Sequence, residues 1–318
     1  MNLNKLILFR TDKRIFTLFC ALHSTRASYF KRISDKKLSS LGKKIRKLLP
    51  GKRFKTTYKL KSYFNKQLPC YFIIWMLQHS DPPQFRRLYK KWGEKLSLDC
   101  YKGFDKLLQE FYFEANVSQL WKECQGKSLE EFNKHYKIAF LFIQKILNYL
   151  KIKRLPSKKI IFISNPLDAI GAGYGPTIHD KVYVIFGPSK GSLNIQLLRH
   201  EFLHSIINPL IQKRRINKRV IKENKQLLRK IVSPIALKYY DDPEIVAIEY
   251  IIRTIELRLF STKKRSQYIR DQIKCGFPYI EFFDAQLKDY EKNKKPFATY
   301  LPIILKNMKY LKIDKSSK

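Results

Sequence analysis

The feature that most narrows what this chain can fold into is a five-residue run, HEFLH from His200 to His204, set inside a stretch whose apolar residues recur at helical spacing. Leu197, Leu198, Phe202, Leu203, Ile206 and Ile207 form one stripe of SLNIQLLRHEFLHSII; Ser192 stands where an N-cap is expected, and Asn208-Pro209 is expected to stop the helix. Residues four apart lie one turn apart, so His200 and His204 face the same side and their imidazoles can share a metal ion. Glu201 then sits within reach of a water on that ion. Short motifs arise by chance, but the chain has only six histidines and this pair lies in an amphipathic helix that follows a strand-like run.

That run is KVYVIF, Lys181 to Phe186; with KKIIFIS, Lys158 to Ser164, it has the β-branched and aromatic content of a strand between turn residues. The intervening NPLDAIGAGYGPTIHD reads as a wide loop, not a phosphate cradle, because it leads into a strand and not a helix. Residues 13 to 150 read as helices, punctuated at Pro50-Gly51, Asp81-Pro82-Pro83 and Gly126. After the HEFLH helix a lysine- and arginine-rich stretch runs to about Lys230. Asp241-Asp242-Pro243 then supplies an N-cap and a first-turn proline for EIVAIEYIIRTIELRLF. The remainder reads as helix broken at Gly276, Pro278 and Pro302.

A catalytic zinc takes three protein ligands and leaves the fourth position to water, so one more donor is needed. Pro209, Leu210 and Ile211 stand where a third histidine would approach, which points to a carboxylate on a later helix: Glu244, Glu249 or Glu256. Glu249 and Arg253 lie one turn apart within an apolar stretch, where burial of unpaired charge is costly and a metal with an ion partner would account for both. Glu244 suits a first-turn dipole residue, and Glu256 a partner of Arg253 or a solvated charge.

RHEFLHSIINPL followed by VAIEYIIRTIELRL resembles an uncharacterised bacterial family of gluzincin-like metallopeptidases, carried as a domain of unknown function, with HEFxHxxxNP and then a Glu-x-x-x-Arg helix. DKRIFTLFCAL resembles that family's opening helix and GFPYIEFFDAQLKDYEKNKKPFATYLPIIL its closing ones. The resemblance implies that His200, His204 and Glu249 hold zinc (Zn2+), that Glu201 is the general base, and that Arg253 belongs to the surroundings of the metal or the substrate; Tyr250 and Asn208 are further expected members of those surroundings. Where gluzincins pair Glu with Asp one turn on, this chain has Arg253, which can hold a carboxylate but cannot accept from a histidine ring. The expected fold class is α+β, mainly α: a zincin-like core with a small sheet beside the HExxH helix, flanked by N- and C-terminal helices. Residues 1–155 form a helical part and 156–318 the catalytic core with its closing helices, in one compact unit.

In the expected reaction, zinc lowers the pKa of a water, Glu201 takes its proton, the hydroxide attacks a peptide carbonyl, and Glu201 returns the proton to the leaving amine. The oxyanion needs a second donor; Tyr174, His179 and Tyr250 are the candidates. KVYVIF is expected to be the edge strand on which an extended peptide or protein substrate pairs. The competing reading is a basic protein that binds nucleic acid or anionic membrane, with a structural or inactive site. With 65 Lys plus Arg against 26 Asp plus Glu, the +39 charge attracts any polyanion. Yet the lysines are spread through apolar-periodic segments, as on solvated faces, and no RNP, zinc-knuckle or helix-turn-helix signature accompanies them.

Cys20, Cys70, Cys100, Cys124 and Cys275 are far apart and form no CxxC pair, which fits a reducing compartment and sets the expected location as cytoplasmic. The N-terminal stretch has a short apolar core interrupted by Lys5, Arg10, Lys13 and Arg14, so it reads as folded chain, not as a signal peptide. CYFIIWML, the longest apolar run, is far below the roughly 18 to 20 residues needed to span a bilayer.

Overall fold

A computed structural model describes residues 6–31, 33–52, 54–89, 101–125, 129–153, 155, 159–190, 193–212, 214–237, 240, 242–260, 264–311 and 313. The chain is mainly helical with one small mixed sheet, the α+β class expected. It divides into two compact units, one of Asn2–Phe140 with Pro156–Glu201 and the other of Leu141–Leu155 with Phe202–Lys318. The divisions fall within the helices Leu129–Tyr149 and Ile195–Gln212.

The first unit holds the sheet. Its strands are β1 (Ile7–Thr11), β2 (Lys159–Ser164), β3 (Gly173–Tyr174), β4 (Thr177–Ile178) and β5 (Lys181–Phe186), in the order β1-β2-β5-β3 with β4 also on β5. β1, β2 and β5 are parallel, while β3 and β4 run antiparallel to β5. Ile160, Ile161, Phe162 and Ile163 are all buried, as a central strand covered on both faces requires. KVYVIF is therefore interior, between β2 and the β3–β4 pair, and the expectation that it forms an edge is corrected. The wide loop expected before it contains β3 and β4. The edge positions fall to β1 and to these two-residue strands.

The helix Lys13–Thr25 is capped by Asp12, whose side chain accepts from Arg14 N, and it is buried along its length. Arg14 is held by Asp12 and donates to the His79 carbonyl at 2.8 Å, so a charge inside this core is fully partnered. Phe64, Phe72, Trp75, Tyr101 and Phe104 pack there in tilted and edge-to-face pairs.

In the second unit the helix Pro243–Phe260 starts as the sequence predicts: Asp242 Oδ1 accepts from Glu244 N at 2.8 Å and proline occupies the first turn. Tyr250 stacks on Phe283 of the helix Ile280–Lys292. Gly276, at φ +98°, breaks the chain as expected. Pro302, by contrast, lies inside the helix Phe297–Asn307 and does not end it; the buried Leu301, Ile304 and Leu305 on either side hold that helix in place. The four described cysteines are free thiols, and among the described residues no helix is long and apolar enough to cross a membrane.

Candidate metal centre

The HEFLH helix spans Ile195–Gln212. Its cap is Asn194, whose Oδ1 accepts from Leu197 N at 3.0 Å; Ser192, the cap expected, lies outside the described residues. The helix runs through Pro209 and not up to it. Proline removes one helical hydrogen bond, but only in the last turn, where Ile211 is fully buried and Asn217 Nδ2 donates to the Leu210 carbonyl at 2.7 Å. Leu198, Phe202, Leu203, Ile206 and Ile207 face the interior as expected, and His200 and His204 remain half-buried on another side.

His204 Nε2 stands 3.2 Å from Glu249 Oε1. The donor atoms of His200, His204 and Glu249 all lie within 4.8 Å of one another. Zinc bonds of about 2.0–2.2 Å at a tetrahedral angle separate neighbouring donors by about 3.3–3.6 Å, so the His204–Glu249 pair is nearly at coordination distance. Two imidazoles and a carboxylate are also the donor chemistry that a borderline divalent ion prefers.

Two of the three candidate donors, His204 and Glu249, are oriented by a neighbour. His204 Nδ1 faces Asn208 Oδ1 at 3.2 Å; in the tautomer whose Nδ1–H donates there, the Nε2 lone pair faces Glu249 Oε1, an arrangement that suits a cation between the two. Glu249 is 3% exposed, and its other oxygen accepts from Arg253 Nε at 3.0 Å and Nη2 at 2.9 Å. Arg253 in turn donates to Gln272 Oε1 at 2.7 Å, has the Tyr240 hydroxyl at 3.5 Å, and lies over the Phe277 ring. Burial is the largest single influence and would lower the guanidinium pKa, but Glu249, Tyr240, Glu256 and Tyr268 together outweigh it and the net shift is upward.

Glu201 is 8% exposed. A Cβ placed on Gly173 in β3 would come within 2.8 Å of its Cγ and Oε1, so glycine is what lets this strand lie against the carboxylate. Of the other third-ligand candidates, Glu244 is in the first turn of its helix, and Glu256 is buried with Oε2 accepting from the Tyr268 hydroxyl at 3.1 Å.

The three oxyanion candidates each have partners of their own. Tyr250 is fully buried and donates its hydroxyl to the Ile231 carbonyl. Burial pushes the Tyr174 hydroxyl well above its ordinary pKa, and it shares hydrogen bonds with Asp168 and Tyr29. His179, at φ +53° in the turn between β4 and β5, packs its ring on Tyr89 at 3.9 Å. Gly173, Gln272 and Tyr240 were not singled out in the sequence: a glycine in a glycine-rich loop and a glutamine in the charged segment RSQYIRDQIK carry no local mark.

The fold and site thus define a mainly helical α+β protein with a candidate metal centre of two histidines and one glutamate. A family model described as Domain of unknown function (DUF4932) matches residues 182–306, which include both the HEFLH helix and the Glu249 helix but not the opening helix. No curated protein and no solved structure matches the chain.

Proposed function

We propose that this chain is a zinc-dependent hydrolase, gluzincin-like in its core, that cleaves peptide bonds. The observation that carries the reading is the convergence of His200, His204 and Glu249 on one point, with Glu201 on the same helix between the two histidines. A purely structural ion has no use for that carboxylate. His200, His204 and Glu249 would hold the ion, which when bound supplies Lewis acidity and lowers the pKa of water.

Glu201 takes the proton of the attacking water and returns it to the leaving amine. Its carboxylate lies close to Gly173, in a residue that is 8% exposed. Asn208 fixes the His204 tautomer, and Arg253 fixes the Glu249 carboxylate. β3, an edge strand lying against Glu201, offers the free side on which an extended peptide can add. That role passes to β3 from KVYVIF.

The test is metal analysis combined with peptide cleavage. Purified wild-type protein should carry about one zinc per chain and release new termini from a denatured proteome. Glu201→Gln should keep the metal and lose the cleavage, and His204→Ala should lose both. A wild-type chain that binds no divalent ion, or a Glu201→Gln variant that cleaves as well as wild type, would overturn the proposal.

A further inference from the structure

The stretch after the HEFLH helix is dense in exposed positive charge. Residues 214–230 contain eight Lys and Arg, Arg214, Arg215, Lys218, Arg219, Lys222, Lys225, Arg229 and Lys230, and all eight are exposed. That is nearly one residue in two, against 65 in 318 for the whole chain. The only acid among them is Glu223, paired with Arg219 at 2.9 Å.

The folding of this stretch explains why the charges share a surface. In the helix Arg215–Glu223, Asn217, Val220 and Ile221 are buried, which turns Arg215, Lys218, Arg219 and Lys222 outward at spacings of three and four residues. Asn224 interrupts the helix, its Nδ2 donating to the Val220 carbonyl at 2.9 Å. The next helix, Lys225–Lys230, buries Leu228 and carries Lys225, Arg229 and Lys230 outward. A concavity of about 690 Å³ is lined by Arg215, Ile216, Lys218, Arg219 and Lys222, with no acid on its wall. Its apolar part comes from Ile216 and from the stems of the long cations.

We infer that this surface is a binding site for the phosphodiester backbone of nucleic acid, read without regard to sequence. Regularly spaced guanidinium and ammonium groups suit a repeating phosphate, and arginine adds bidentate contacts. A membrane surface is disfavoured because the apolar residues of the helix point into the core; Ile216 is the one large apolar side chain exposed on this stretch, too little for an in-plane amphipathic anchor. No aromatic side chain stands among residues 214–230, so the stretch offers phosphate contacts without an aromatic stacking platform. The inference is independent of the peptidase proposal and leaves the metal centre untouched.

The experiment uses the full chain and fluorescein-labelled mixed-sequence RNA and DNA, single- and double-stranded, with affinity followed by anisotropy from about 50 to 200 mM salt. The variant is K218Q/R219Q/K222Q/R229Q. Its control is K36Q/K37Q/K43Q/K47Q, the same charge change in another exposed basic stretch. The site variant should weaken binding by about 100-fold or more at the lower salt and flatten the log–log salt slope by about three to four on duplex; the control should stay within about threefold. Equal loss in both variants would overturn the assignment, as would an unchanged slope in the site variant. Binding to phosphatidylserine vesicles that the site variant loses, with no binding to nucleic acid by wild type, would also overturn it in favour of a membrane surface. Should the quadruple variant fail to fold, K218E/R219E with its helical circular dichroism intact carries the same comparison.

Discussion

His204 and Asn208, one turn apart on the HEFLH helix, meet through Nδ1 and Oδ1 at 3.2 Å while the opposite nitrogen of the same ring faces Glu249. In the tautomer whose Nδ1–H donates to Asn208, Nε2 is left unprotonated for a metal. Replacing Asn208 with Ala removes the acceptor and frees the ring to take either tautomer and to rotate. Zinc affinity, measured by competition with a chelator, should fall about 10- to 100-fold, the usual cost of losing such a partner. Asn208 is half-buried, so the melting temperature of the metal-free protein should move little. Unchanged zinc affinity would show that the ring is oriented by something else.

Gly173 and Glu201 give the second prediction. Gly173 lacks a positive φ, so alanine is acceptable to its backbone, and the obstacle is the Glu201 side chain at 2.8 Å together with Leu197 at 2.7 Å. Gly173→Ala should therefore displace the carboxylate without unfolding β3. Turnover of a cleaved peptide should drop by about 100-fold, the order expected for a misplacement of about 1 Å, while zinc content stays at the wild-type value. Loss of zinc and of activity together would mean that the strand itself had moved.

Arg253 supports Glu249 in a way that depends on whether a cation is present. With Arg253→Met, a carboxylate that is 3% exposed loses the guanidinium on its Oε2, and the cost of stranding a buried charge is about 3–5 kcal/mol. A bound divalent ion supplies the missing positive charge. The loss of stability should therefore be large in chelator and should shrink in excess zinc. Arg253→Lys should fall between, because an ammonium keeps the charge but not the fork that spans Glu249 and Gln272. Unfolding by urea, with and without zinc, reads all three states.

What the sequence revealed of this site was what lies on one element. The HEFLH spacing, the Asp242-Pro243 start of the next helix and the bounds of KVYVIF all follow from local chemistry, and the structure has each of them. Glu249 could be favoured because a charge in an apolar helix needs a partner. Contacts from distant positions were not legible: Gln272 and Tyr240 reach Arg253 from segments whose patterns say only helix or turn. β3 and β4, at two residues each, are too short to show alternation, and β1, with only Ile7 buried, lacks the apolar pattern of an interior strand. Pro209 and Pro302 were expected to end helices because proline is costly there; burial of their neighbours outweighs that cost.

Two buried groups at the turn after β2 give the last prediction, a pH dependence whose sign is set by which of them is removed. Burial is the larger influence on Asp168 and pushes its carboxyl up to about 7, against the Ala169 N–H and the hydroxyls of Tyr174 and Tyr29 that draw it down. Burial likewise brings His23 down to about 4, although its Nε2 bonds the Leu167 carbonyl at 2.8 Å. The folded Asp168 keeps a proton that the unfolded chain, with an ordinary value of 3.8, has already released, so its contribution is whole below that value and is lost as pH rises toward about 7. The unfolded His23, at 6.5, takes a proton that the folded one refuses, so its contribution is whole above 6.5 and is lost as pH falls toward about 4. In the shared window the two slopes oppose each other, and their sum should be nearly flat in the wild type. Asp168→Asn removes the falling slope, so the melting temperature should rise with pH from about 4.5 to 6.5 and exceed that of wild type at about pH 8, where the wild-type carboxylate is charged in the core. Calorimetric scans across that range decide it: a variant curve as flat as that of wild type, or a lower melting temperature at the alkaline end, would show that Asp168 is ionised without cost in the fold.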